Sequence, residues 1–276
     1  MNAILIIIRK EIRDGLRNRW VLAVTLLLAM FALSLGFLGS APTGTVKVDP
    51  LTVTVVSLSS LSIFLVPLIA MLLSYDAIVG EIDRGTMNLL LSYPVARWQV
   101  IVGKFCGHLA ILALATTGGY GLAGIALQLA HGGLDPAAWM PFLLLIAASI
   151  LLGAGFLSLG YLISTLVRER ATAAGIAIGV WLFLVVIYDM ALLGALVADQ
   201  GRIITAPLLN ALLLLNPTDI YRLMNLTGYE NIAMFSGMAG LSGQARLSMS
   251  TLLLAQVLWI AVPFALAALS FKRKSL

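Results

Sequence analysis

The sequence predicts an all-α membrane bundle of six spans, and three observations predict it. Hydrophobic residues make up 61% of the 276 residues and charged residues 11%, against about a quarter charged in a soluble domain. Six apolar runs each reach the roughly 20 residues that a hydrocarbon core of about 30 Å requires. With the N-terminus placed inside, thirteen of the seventeen Lys and Arg residues fall at inner loop ends and only Lys47, Arg202, Arg222 and Arg246 fall outside, the bias that membrane insertion produces. Residues 1–276 read as a single transmembrane domain, with an even number of spans and both termini on the inner side. The net charge of +5 comes from these loop ends and does not indicate nucleic acid. A single cysteine, Cys106, excludes an internal disulfide.

The amphipathic opening comes first. Residues 2–18 predict a short helix in which Ile4, Ile8, Ile12 and Leu16 recur four apart and Arg9, Arg13 and Arg17 form a basic stripe. Such a helix lies in the membrane interface rather than across it. The segment 1–19 is thus an interfacial elbow helix or a basic flank that orients the first span, and the two readings are compatible. Spans are expected at about Trp20–Leu38, Leu51–Tyr75 with Pro67 inside it, Val100–Ala130, Trp139–Val167, Ala171–Ala198 and Thr251–Phe271. The run 203–215 is too short for a seventh span and contains Pro207, so it is interfacial or re-entrant. Crossing there would also carry Lys272, Arg273 and Lys274 outside. Glycines at 103 and 107, at 175 and 179, and at 118, 119, 121 and 124 are placed for close helix contact.

Between the second and third spans lies Asp76 to Lys104, whose charges sum to zero. Asp76, Glu81, Asp83, Arg84, Arg97 and Lys104 are spread along it, so it cannot cross a bilayer. Residues 76–99 predict a folded elbow: a first helix to Glu81, a turn at Gly85, Thr86 capping a second short helix over Met87–Ser92, and a stop at Pro94. Trp98 and Lys104 mark re-entry into the headgroups. Such an elbow suits a soluble partner, and it equally suits an ordinary inner loop.

Glu81, Gly85-Thr86, Leu89-Leu90-Leu91, Pro94, Arg97 and Gly103-Lys104 together resemble the E…GT…LL…P…GK signature of ABC-2-type transporter permeases, and the length and six-span layout match that family. The resemblance implies a type V exporter-like fold that works as a homodimer in the bacterial inner membrane. It makes 76–99 the cytoplasmic coupling elbow, with Glu81, Asp83, Arg84, Gly85, Thr86, Pro94 and Arg97 as coupling residues. Arg168-Glu169-Arg170 becomes a second coupling point, which charge alone would read as a positive-inside turn. The partners implied are two copies of a cytoplasmic ABC ATPase, with ATP and Mg on that subunit and no cofactor on this chain. Within the family, Asn216-Pro217-Thr218-Asp219 with Tyr221-Arg222 is similar to permeases of the Nos systems, which mature the copper enzyme nitrous oxide reductase. That narrower resemblance implies a NosF-like ATPase, a periplasmic NosD-like protein and, as a further candidate, a copper chaperone. The alternatives are an ABC-2 exporter of another substrate, an ion-gradient-driven transporter and a non-transporting scaffold.

The chain's own chemistry points to a non-catalytic subunit. Gly103-Lys104-Phe105 lacks the spacing and the hydroxyl residue of a phosphate-binding loop, and no HExxH occurs. Asp189 is the one acid well inside a span, with no second buried Asp expected to share its proton. It is either a polar point in a cavity or interface, or an acid satisfied by water. Met224, Met234, Met238 and Met249 sit in the last outer loop, but no Cys or His accompanies them, so no metal site is expected. Cys106 and His108 read as structural. The outer loop 199–250 is too apolar for disorder and predicts a platform of short helices that docks a periplasmic partner through Asn216, Pro217, Asp219, Tyr221 and Arg222. Asn216 would cap a helix that starts at Pro217 and closes at Gly228, with Tyr221 and Leu226 on the membrane or partner and Asp219 and Arg222 exposed.

Overall fold

The computed structural model describes residues 3–17, 19–38, 50–130, 136–199, 203–226 and 247–274. Helices in chain order are α1 (Ala3–Arg17), α2 (Arg19–Leu38), α3 (Pro50–Ser74), α4 (Val79–Asp83), α5 (Thr86–Leu91), α6 (Arg97–Ala130), α7 (Pro136–Leu166), α8 (Arg170–Leu182), α9 (Tyr188–Asp199), α10 (Ala206–Leu214), α11 (Pro217–Leu226) and α12 (Met249–Arg273), and a π-helical turn over Phe183–Ile187 joins α8 to α9. No strand occurs among the described residues. Five segments are long and apolar enough to cross a membrane, and α2, taken with α1 across a 66° bend, makes up to six. The ends fall within a few residues of those expected, because each apolar run stops at charge or at a helix breaker. At the start of α12, for example, the Ser248 hydroxyl accepts the Thr251 N–H at 3.2 Å.

Spans α6 and α7 form the centre, with 61% and 67% of their most apolar windows buried, whereas the fifth segment (α8–α9) and α12 reach only 22%. Close approaches hold the centre together. A methyl group at Gly153 or Gly160 of α7 would overlap Leu112 of α6 or Ser74 of α3, and one at Gly119 of α6 would meet Leu28 of α2 at 2.8 Å. In lipid, where apolar side chains gain nothing by leaving the solvent, such backbone proximity is what binds helices. The expectation for Gly175, Gly179 and Gly121 is corrected: a methyl at any of them would meet nothing within 4 Å.

Helix α1 packs along α6, but not through the face read from its isoleucines. Ile7 and Glu11 are buried, while Leu16 is 59% exposed. Gly103 and Gly107 of α6, one helical turn apart, face Ile7 and Glu11. Close backbone approach therefore selects the face, and the polar end of that face is neutralised by ion pairs.

Helix α1 and residues 271–274 at the end of α12 meet the elbow at one end of the bundle. Arg97, at the start of α6, donates to the carbonyls of Phe271, Lys272 and Lys274 at 3.2, 3.3 and 2.6 Å. Lys274 in turn donates to the carbonyls of Thr165 and Val167 at 3.0 and 2.6 Å, satisfying the end of α7. This is the terminal end; the opposite one is the far end.

The described part of the outer loop is not an exposed platform. Helices α10 and α11 form a hairpin that folds back among the spans. Asn216, Asp219 and Tyr221 are at most 1% exposed, and Pro217 is buried too. The Asn216 amide donates at 2.9 Å to the carbonyl of Leu184, about midway along the fifth segment. The hairpin is thus re-entrant, the alternative that its length and Pro207 left open. Non-helical backbone at membrane depth is tolerated only where protein surrounds it, and the surrounding spans supply the partners. Tyr188 Oη donates to the Leu212 carbonyl at 2.7 Å and Trp259 Nε1 to that of Leu214 at 3.2 Å, closing the end of α10. Gly228, Asn231–Gly240, Met234 and Met238 lie outside the described residues.

Candidate functional site

The elbow is built on Gly85, whose φ of +72° turns the chain between α4 and α5, a conformation that costs glycine nothing. Gly85 itself, rather than Thr86, is the N-cap of α5. Thr86 is instead the first helical residue, and its hydroxyl donates to the Glu81 carbonyl at 3.2 Å. Four different spans and helices grip the elbow. Ser164 of α7 accepts the N–H groups of Ile78 and Val79 at 3.0 and 3.1 Å, which satisfies the orphan donors at the start of α4. Lys104 of α6 pairs with Glu81 at 2.6 Å and with Glu11 of α1 at 3.0 Å. Arg170, at the start of α8, pairs with Asp76 at 2.9 Å.

The Lys104 pairs belong to a polar network whose centre, Glu11, Glu81, Lys104 and His108, is buried. Lys10 lies 3.0 Å from Glu11, 3.5 Å from Asp14 and 3.8 Å from Glu81. His108 Nε2 is 3.5 Å from Glu11, and its Nδ1 shares a 2.8 Å hydrogen bond with Tyr161 Oη. Burial pushes the Glu11 carboxyl up, but the hydrogen bond with His108 and the charges of Lys104, His108 and Lys10 outweigh it and hold the group well below the usual carboxylate range. For Lys10, burial favours the neutral amine and the neighbouring Glu11 carboxylate more than reverses it. A cleft of about 390 Å³ opens beside the network, between α1, the end of α3 and the elbow.

Glu81, expected as a coupling residue of the elbow, is 9% exposed and turned into the bundle. Its carboxylate is paired with the buried Lys104 ammonium, so it ties the elbow down instead of facing outward. Arg97 is likewise half-buried and holds the C-terminus. The outward surface consists of Asp83, Arg84, Gly85, Thr86, Leu89, Tyr93 and Pro94 on the elbow, with Arg168, Glu169 and Arg170 beside it. Leu89 and Tyr93 are both 68% exposed. Sequence reading missed Glu11, Ser164 and the His108–Tyr161 pair. The one available signal was an acid on a basic helix with the same four-residue spacing to Ile7 as Gly107 has to Gly103.

At the far end the hairpin brings a second acid to Asp189. The Asp219 and Asp189 carboxylates are bridged by Arg222, whose Nη1 donates to Asp219 at 2.8 Å and whose Nη2 donates to Asp189. The expectation that Asp189 has no buried acidic neighbour is corrected, as is the exposure of Asp219. Long-range folding hid the pairing, since 30 residues separate the two in sequence. Asn216 caps α11 as expected, with its Oδ1 accepting the Thr218 N–H at 3.1 Å. The set Asn216, Pro217, Asp219, Tyr221 and Arg222 therefore binds the chain to itself and offers little to an outside partner. Among the described residues no three His, Cys, Asp or Glu side chains are grouped to hold a metal; Met224 is buried and Met249 starts α12.

Comparison with known proteins agrees with this architecture. Residues 5–276 match the family described as ABC-2 family transporter protein. The chain is similar to the probable ABC transporter permease protein NosY of Stutzerimonas stutzeri, 44% identical over 275 residues covering 99% of both chains. It is also similar to the protein of that name from Pseudomonas aeruginosa, 46% identical over 269 residues covering 97% of both. Matched almost from end to end, this multi-pass helical chain belongs to the ABC-2 family as an ABC transporter permease.

Proposed function

We propose that this permease couples ATP hydrolysis on a separate subunit to movement of its own helices, as a homodimer above two NosF-like ATPases. The observation that carries the reading is the elbow: an exposed surface at Asp83–Thr86, Leu89 and Tyr93 whose inner side is clamped to α1, α6, α7 and α8. A push on that surface reaches four helices as rigid-body tilt, because buried ion pairs and capped helix ends do not stretch. The thirteen-to-four Lys/Arg division supports an orientation with this end on the cytoplasmic side of a bacterial inner membrane. By likeness to the NosY proteins, the movement serves copper-site maturation of nitrous oxide reductase, through transport or through mechanical action on a periplasmic NosD-like protein, with a copper chaperone nearby. ATP and Mg stay on the ATPase.

The test is co-purification with the ATPase, with its turnover measured. Leu89→Asp alters only an exposed side chain and should abolish both association and stimulated turnover. Glu81→Ala loosens the clamp and should leave association intact while uncoupling turnover. Wild-type behaviour in both variants makes the elbow an ordinary loop. A cysteine introduced by Gly85→Cys in a Cys106→Ala background should resist an impermeant thiol reagent in intact cells, and labelling there reverses the orientation.

A further inference from the structure

Asp189 and Asp219 bring two carboxylates to one guanidinium. Asp219 is 1% exposed and Asp189 lies in the seam between the hairpin and the fifth segment. Arg222 satisfies one oxygen of each acid. The other two, Asp189 Oδ1 and Asp219 Oδ2, are buried and have no hydrogen-bond partner, and the two carboxylates are held together on the two Nη atoms of one guanidinium. With both acids ionised the site carries one uncompensated negative charge, among the costliest arrangements in a protein interior. Two abutting carboxylates settle such a surplus by sharing a proton. A divalent metal would need more ligands than two carboxylates supply, and no third acid, His or Cys joins them among the described residues. The other groups facing the pair are Tyr188 at the start of α9 and the Asn216 amide, both neutral, and Arg222 itself.

We infer that Asp189 and Asp219 share one bound proton, and that this proton seats the α10–α11 hairpin against the fifth segment. On the side of the fifth segment the hairpin is otherwise held by hydrogen bonds from Asn216 and Thr218 to Leu184 and from Tyr188 to Leu212. The site also adjoins the π-helical turn Phe183–Ile187, a feature that often marks a functional hinge. The seated hairpin binds one more proton than the released one. Raising pH therefore favours release, by up to tenfold per pH unit as pH rises toward the seated pair's midpoint, and levels off above it.

The full-length permease in lipid nanodiscs carries both tests. Infrared spectroscopy at pH 6 should show the carbonyl stretch of a protonated carboxyl group that vanishes in Asp189→Asn and in Asp219→Asn, because either variant leaves one carboxylate paired with Arg222. Absence of the band in the wild type, or its persistence in both variants, overturns the shared proton. Spin labels attached through Ala211→Cys and Val197→Cys in a Cys106→Ala background then report the hairpin. The ratio of displaced to seated hairpin should rise with pH, by up to tenfold per unit below the pair's midpoint, in the otherwise native chain and stay flat when Asp219→Asn is added. An unchanging distance in the native chain overturns the seating role, and equal pH dependence in the variant assigns it to another group. Circular dichroism and elution profile establish that each variant is folded, and Asp189→Asn provides the same comparison should Asp219→Asn fail to fold.

Discussion

The two ends of the bundle solve one problem differently. At each, a short element outside the six spans is fastened to them by buried charge. At the terminal end Glu11 and Glu81 face Lys104 and Lys10, with His108 and Tyr161 extending the network. Glu11, Asp14 and Glu81 each have a cationic partner there, and α1 and the elbow are held as parts of one rigid body. At the far end two acids meet a single arginine and one oxygen of each is orphaned. Matched charge makes a clamp, and mismatched charge makes a joint that depends on something else being bound. A coupling device needs both, a stiff input and a part that can change state.

The largest effect should come from unbalancing the clamp. Lys104→Met leaves Glu11 and Glu81 buried without their shared partner, a loss of about 3–5 kcal/mol for breaking a buried pair. Arg222→Met should cost less, because the two aspartates it leaves are able to take up protons. Melting of the purified variants checks the order, and equal losses would erase the distinction between clamp and joint. Combining Lys104→Met with Glu81→Gln should cost less than the sum of the single changes, since they share one interaction.

Next come the close approaches. Gly107→Val puts a Cβ 2.5 Å from that of Glu11 and should cost about 1–3 kcal/mol as overpacking, freeing α1 to proteolysis. Gly179→Val, with nothing within 4 Å, should leave the chain's own packing untouched. Ser164→Ala strands the Ile78 and Val79 N–H groups and should cost about 1–3 kcal/mol, seen as faster hydrogen exchange across α4. Tyr188→Phe removes only the bond to Leu212 and should cost about 1 kcal/mol, confined to the hairpin.

The smallest expected effects sharpen the contrast. Glu11 is held below the usual carboxylate range, so its contribution is complete above that range and is lost only as pH falls through its lowered value. Acidification from pH 7 to pH 5 should therefore not weaken Glu11's hold on α1, while the far-end hairpin should seat more firmly over the same interval. Protease protection of the two segments, followed together, should diverge with pH in that sense. Asp83→Ala on the exposed elbow should change stability by no more than about 0.5 kcal/mol and act only on ATPase recovery.

The sequence by itself determined the membrane class, the six spans and their ends, the turn at Gly85 and the cap at Asn216. Each of these follows from local physics: the length of an apolar run, the steric freedom of one residue, a side chain reaching its own backbone. The re-entrant character of 203–215 was half legible, because thirteen apolar residues with Pro207 cannot cross a bilayer and cannot stay in water either. Only the tertiary structure decided where polar side chains point. Glu81 reads as a surface acid until Lys104 and Glu11 arrive beside it from α6 and α1. Asp219 and Tyr221 read as a docking face until their helix folds inward onto Leu184 and Ser149. The π-helical turn at Phe183–Ile187 leaves no mark in its own apolar residues. A buried charge is stable only beside a partner, and in this chain the partners lie on other helices, 23 residues away for Glu81 and 33 for Asp189, beyond the reach of any local pattern.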